Sequence, residues 1–237
     1  MTREAFDRRI QNLLDETLVL GSMVEEMIVE SVETLRTRDF AQARQIYKED
    51  KKINKKRFQI ENDTLITIAT QGPMARDLRV LASILEVSGE LERIGDYAKG
   101  IAIINVRMGT EPLLKPLVDI PEMARITADM LHRALEAFVI ADEATARKIP
   151  QEDDQVDDLY NRVYRDLLDI MLNDPSTIDQ ATYLLWVAHN LERAADRVTN
   201  ICERTIFVAT GEMHEIKSTD DEMKKKNVQK LIASSEA

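Results

Sequence analysis

The residues in this chain best placed to do chemistry are carboxylates at helical spacing. Leu91-Glu92-Arg93-Ile94-Gly95-Asp96 and Leu191-Glu192-Arg193-Ala194-Ala195-Asp196 each set a Glu and an Asp at i and i+4. On a helix that spacing puts both on one face, one turn apart. Like charges so placed disfavour an exposed helix by about 0.2–0.5 kcal/mol, and a lone charge nearer a core costs far more. A second acidic set precedes each pair. It is Glu49-Asp50-Lys51-Lys52-Ile53-Asn54 in the first half and Glu152-Asp153-Asp154-Gln155-Val156-Asp157 in the second. Asp153 and Asp157 again stand at i and i+4, and Asp50 and Asn54 match them with one carboxylate replaced by an amide.

A cation would offset this concentration of charge. Oxygen-only ligands favour hard or borderline ions such as Mg, Mn or Fe. No Cys or His stands at ligand spacing. The Glu-x-x-His signature of di-iron bundles is absent at His132, His189 and His214, which argues against a ferritin-like oxidase. From spacing alone a second reading stays open: Glu-x-x-x-Asp on a solvated helix face, with Arg93 or Arg193 pairing locally. No nucleophile elbow, Gly-rich phosphate loop or Cys/His pair is present. No catalytic residue is therefore assigned, and the chain reads as a non-enzyme.

Long helices must carry these residues. Apolar positions recur at helical spacing from Glu4 to about Arg36, broken only at Gly21. Asp39 is a suitable N-cap for a second helix reaching Thr70. Gln71-Gly72-Pro73 then stops it, with Gly as the break and Pro opening the third helix, which ends near Met108-Gly109. Pro112, Pro116 and Pro121 mark a linker. Three more helices follow: Glu122 to Ile140; Asp142 to Asn173, kinked or restarted at Pro150; and Ser176 to Thr210, ended by Gly211.

The halves repeat. DFAQARQIYKED from Asp39 and DEATARKIPQED from Asp142 agree at seven of twelve positions, at an offset of 103. The Leu-Glu-Arg-x-x-Asp stretches agree at an offset of 100. The expected fold is all-α: six long helices forming two tandem three-helix bundles by internal duplication. Domain boundaries fall at 1–110, a linker at 111–121, a second repeat at 122–212 and a polar tail, mobile or a short frayed helix, at 213–237. Asp50 lies 23 residues before Pro73 and Glu92 19 after it; the second half gives 22 and 17 about Pro175. A helical hairpin therefore brings the two acidic sets of each half to comparable heights.

Composition limits the function. Net charge is −11, which disfavours nucleic acid; the locally basic run from Lys48 to Arg57 reads as a solvated helix face. Cys202, the only cysteine, reads as buried core. Asp77 reads as capping or surface chemistry, His189 as a hydrogen-bonded packing residue and Trp186 as core. No N-terminal apolar segment and no bilayer-length apolar run is present, so a soluble, cytoplasmic protein is expected.

Glu92-Arg93-Ile94-Gly95-Asp96 and the run from Glu192 to Glu203 resemble the PhoU family of phosphate-transport accessory proteins. The likeness extends through Gln71-Gly72-Pro73, Asp77-Leu78-Arg79, Asp153 to Tyr160 and Asn173-Asp174-Pro175, covering roughly residues 5–212. It implies two similar three-helix bundles whose E(D)xxxD motifs bind metal, and homodimerisation. It also implies negative regulation of phosphate uptake and phosphate-starvation signalling. The implied partners are the ATPase of the phosphate ABC transporter and a phosphate-sensing histidine kinase, so that the membrane is reached only through partners. Carried over by residue, the metal ligands are Glu92, Asp96, Glu192 and Asp196, then Asp153, Asp157 and Asp50. Asn54 departs from the pattern and leaves the first site one charge short. Ala195 stands where the first repeat has Gly95. The rival readings are a carboxylate-metal enzyme and a metal-free helical scaffold.

Overall fold

Helices account for all the regular structure in residues 2–216, which the computed structural model describes. The first repeat is α1 (Arg3–Thr37), α2 (Phe40–Gln71) and α3 (Arg76–Arg107). The second is α4 (Asp119–Ile140), the single turn α5 (Glu143–Ala146), α6 (Asp153–Asn173) and α7 (Ile178–Thr210). The tail expected at 213–237 lies outside the described residues from position 217 on. No helix among the described residues is long and apolar enough to cross a membrane.

The helix ends follow local chemistry. Thr2 and Asp39 accept backbone N–H bonds as N-caps of α1 and α2, and Asp142 does the same for α5. Gly72 and Gly211 close α2 and α7 at φ 55° and 85°, where a Cβ would be strained. Pro150 restarts the chain as expected: a 3₁₀ turn over Ile149–Glu152 separates α5 from α6. Pro73 does not open α3. The connection runs on to Ala75, which takes a positive φ of 49°, and the helix begins one residue later.

In the first repeat α1, α2 and α3 pack on one another; α4, α6 and α7 do so in the second. The bundles are joined along α3 against α7 and α1 against α4, and one continuous apolar cluster runs through both. Leu91, Ile94, Ala98 and Ile101 of α3 are buried, as are Leu191, Ala194, Val198 and Ile201 of α7. Their shared stripe turns Glu92 and Glu192 to the rim of the core.

Gly21, the weak point of α1 by propensity, sits where α1 crosses α4. A Cβ there would fall 2.1 Å from Cδ1 of Leu135, which is itself buried. Gly21→Ala is expected to lose about 1 kcal/mol of stability in urea unfolding. Overpacking of about 1–3 kcal/mol outweighs a propensity gain of about 1 kcal/mol. A net stabilisation would show that Leu135 can move aside.

Candidate metal centre

In the first repeat the hairpin of α2 and α3 brings the expected residues together. Asp50 is buried on α2, with Asn54 one turn on; Glu92 and Asp96 face them from α3, half-buried. Asn54 Nδ2 donates to Asp50 Oδ2 at 3.2 Å and to the Asp50 carbonyl at 3.1 Å. Two basic side chains occupy the same space. Lys99 Nζ bridges Asp96 Oδ1 at 2.5 Å and Asp50 Oδ2 at 3.1 Å. Arg57 Nη1 lies 3.7 Å from Glu92 Oε2 and also pairs with Glu61 through Nε at 2.8 Å. Burial works against the Lys99 ammonium, but its hydrogen bonds to Asp96 and Asp50 outweigh that and hold its pKa above the usual value. Burial raises the Glu92 carboxyl, Asp96 adds to the rise, and Arg57 and Lys99 oppose it. This half carries its own counter-charges, while Asp50 Oδ1, like Asp153 Oδ1 in the second repeat, is buried with no hydrogen-bond partner among the described residues.

The second repeat differs at both basic positions. At the repeat offsets, Thr199 stands where α3 has Lys99, and Tyr160 where α2 has Arg57. Asp157 replaces the amide of Asn54. Asp153, at the start of α6, is 3% exposed, and its Oδ1 has no hydrogen-bond partner among the described residues. Burial, then the charges of Asp196, Asp157, Glu192 and Asp154, push its pKa up to about 8. Thr199 Oγ1, one turn beyond Asp196, also lacks a partner among the described residues. His189 Nδ1 lies 3.2 Å from Glu192 Oε2, and its ring is 6.2 Å from that of Tyr160. Burial and the charge of Glu192 raise the Tyr160 phenol. Among the described residues no group of three or more His, Cys, Asp or Glu side chains is placed to hold a metal ion. Four carboxylates repel one another, and drawing them inward takes a positive charge. Oxygen donors with a buried orphan oxygen among them are of the kind that hard cations take.

The sequence model of the PhoU domain matches twice, over residues 17–104 and 120–205. The chain belongs to the PhoU family. The "Phosphate-specific transport system accessory protein PhoU homolog" of Clostridium acetobutylicum is 37% identical over 212 residues, 89% of this chain and 97% of that protein. The like-named protein of Aquifex aeolicus is 32% identical over 206 residues, 87% and 93% of the two chains. The crystal structure of the phosphate transport system regulatory protein PhoU from Streptococcus pneumoniae superposes with a TM-score of 0.83 at 30% identity. That match covers 89% of this chain and all of the other.

Several polar groups near the motifs serve the join between repeats. Glu90 on α3 pairs with Arg93 at 2.5 Å and reaches α7 through Asn200 Nδ2 at 3.1 Å and Arg197 at 3.5 Å. Arg193 lies over the Tyr97 ring, 4.8 Å from its centre. The local pairing of Arg93 with its motif is thus replaced by Glu90, and Arg193 turns to the other repeat. Asp77 is a surface residue bonded to Arg3 at 2.7 Å. Cys202 is buried, with burial pushing its thiol up to about 12. Trp186 is not core: it is half-exposed and meets Tyr183 edge-on.

Proposed function

We propose that this chain is a phosphate-transport accessory regulator that holds a metal ion in its second repeat, on Asp153, Asp157, Glu192 and Asp196. The observation that carries the metal assignment is the buried Asp153 carboxylate, with an unbonded oxygen amid acidic neighbours and no lysine or arginine at the positions that neutralise the first repeat. A bound cation would draw the start of α6 and the middle of α7 together. Tyr160 and His189 would then orient Glu192 from outside the ligand set. Family membership and the names of the relatives support the regulatory role. In this reading the protein is no enzyme. It works in the cytoplasm, restrains phosphate uptake by contacting the transporter ATPase and the sensor kinase, and pairs with a second copy.

The metal assignment is tested by elemental analysis of protein purified without chelators. Glu192→Ala/Asp196→Ala is expected to remove most of the bound metal. Glu92→Ala/Asp96→Ala is expected to leave it nearly unchanged. The reverse result, or no loss from either, overturns the assignment. Co-purification with the ATPase and the kinase at high and low phosphate tests the role, and binding to neither sinks it.

A further inference from the structure

The outer face of α2 carries a basic and apolar stripe that the fold does not require. Arg44, Lys48, Lys51 and Lys55 stand along it, each exposed. Among the described residues none of the four has an ion-pair partner, whereas Lys52, Lys56 and Arg57 beside them are paired with Glu49, Glu16 and Glu61. Tyr47, Phe58, Leu65 and Ile66 share that face at helical spacing and are 52%, 60%, 56% and 47% exposed. From Arg44 to Ile66 the stripe is roughly 33 Å long. Beside its first turns an apolar groove of about 290 Å³ opens between α2 and α3, floored by Ala43, Ala102 and Val106 and rimmed by Arg44, Lys48 and Arg107.

The two repeats differ at this face, so the fold does not require its chemistry. Residues 44–58 hold seven basic side chains against two acidic; the matching residues 147–161 hold two against five. Asp154 and Asp158 stand where α2 has Lys51 and Lys55, and Asn161 where it has Phe58. The same fold position therefore tolerates acids and no aromatic. In a chain of net charge −11, an isolated basic face with large apolar side chains among its lysines needs a partner that is both anionic and apolar.

We propose that the α2 face docks on an anionic phospholipid membrane. The lysines would meet headgroup phosphates, Phe58, Leu65 and Ile66 would enter the acyl boundary, and the acidic face of the second repeat would be turned away by repulsion. This contact is direct, beyond any reached through partner proteins, and it stands apart from the metal assignment.

Co-sedimentation of the full chain tests it, using phosphatidylcholine vesicles with and without one third phosphatidylglycerol. Binding is expected only with phosphatidylglycerol, and is expected to weaken as salt rises. Lys48→Gln/Lys51→Gln/Lys55→Gln should lower partitioning about a hundredfold, from roughly fivefold per lysine. Phe58→Ser/Leu65→Ser should lower it at unchanged charge. Arg125→Gln/Arg147→Gln/Arg165→Gln, which removes as much charge from the second repeat, should leave it unchanged. Circular dichroism melts show that each variant is folded. Absence of binding to anionic vesicles, or an equal effect of the two triple variants, overturns the proposal. So does a shift from dimer to monomer in light scattering of the lysine variant without vesicle binding, which would give the face to a second copy.

Discussion

Asp153→Asn is expected to stabilise the protein in the presence of chelator at mildly alkaline pH, and to weaken metal binding in the same variant. The wild-type carboxyl is held at about 8 by burial and by Asp196, Asp157 and Glu192, against about 3.9 in an unfolded chain. Between those values the folded protein keeps a proton that the unfolded chain has released. Stability therefore falls as pH rises from about 4 to about 8, and the loss is complete above that. A rise from about 3.9 to about 8 corresponds to at most about 5–6 kcal/mol. Asparagine has nearly the same shape and does not titrate, so the variant should show a flatter stability–pH profile. It should gain about 2–3 kcal/mol over wild type near pH 8 and almost nothing near pH 4. Added Mn(II) should reverse the order. Stabilisation by a ligand grows with the ratio of its concentration to Kd, and asparagine offers a weaker donor than a carboxylate. Urea unfolding with chelator and with Mn(II), at acidic and alkaline pH, measures all four terms. If asparagine destabilises under every condition, Asp153 serves the fold through its charge and the site is misplaced.

Much of this was legible in the sequence because the repeat is written in two periodicities. Apolar residues at 3.6-residue spacing, punctuated by Gly72, Gly211 and Asp39, set the helices to within a few residues. Carboxylates at i and i+4 marked the faces of α3, α6 and α7 that line the two clusters. The cations of the first cluster were missed for a physical reason. Arg57 reaches Glu92 across the hairpin, and Lys99 spans from Asp96 on its own helix to Asp50 on another. Lysine and arginine on a helix ordinarily point to water, so a search for metal ligands passes over them. The signal was present in the repeat itself, where Lys99 aligns with Thr199 and Arg57 with Tyr160 at the same offsets that align the acids. The join between repeats was not legible. Periodicity within one helix says which stripe is buried and not against what, so Glu90 gave no sign of its bonds to Asn200 and Arg197. Trp186 shows the converse: an aromatic in a long helix lies on the outer face, packed on Tyr183 alone of the aromatic rings.

The double variant Asn54→Asp/Lys99→Thr should strengthen metal binding at the first repeat. Lys99 holds Asp50 and Asp96 together through two ion pairs, with Asp50 buried, so its loss leaves like charges facing one another without their bridge. Lys99→Thr alone should cost about 1–3 kcal/mol in the presence of chelator: less than the loss of one partner from a fully buried pair, because Lys99 and Asp96 are partly exposed. Asn54→Asp adds the fourth carboxylate found at Asp157 in the second repeat and should deepen that loss, since it also replaces the amide donor now bonded to Asp50 Oδ2. Mn(II) or Fe(II) should restore the stability of the double variant by more than it raises that of wild type, by the same linkage that couples any ligand to the native state. Metal content should rise by about the amount that Glu192→Ala/Asp196→Ala removes. Arg57 remains in the double variant and still faces Glu92, so a third substitution, Arg57→Tyr, separates the two basic residues. If metal binds only once Arg57 is gone, the guanidinium is the group that excludes it. If metal content never rises, the charge balance of the first repeat is not what keeps a cation out, and the contrast with the second repeat loses its basis.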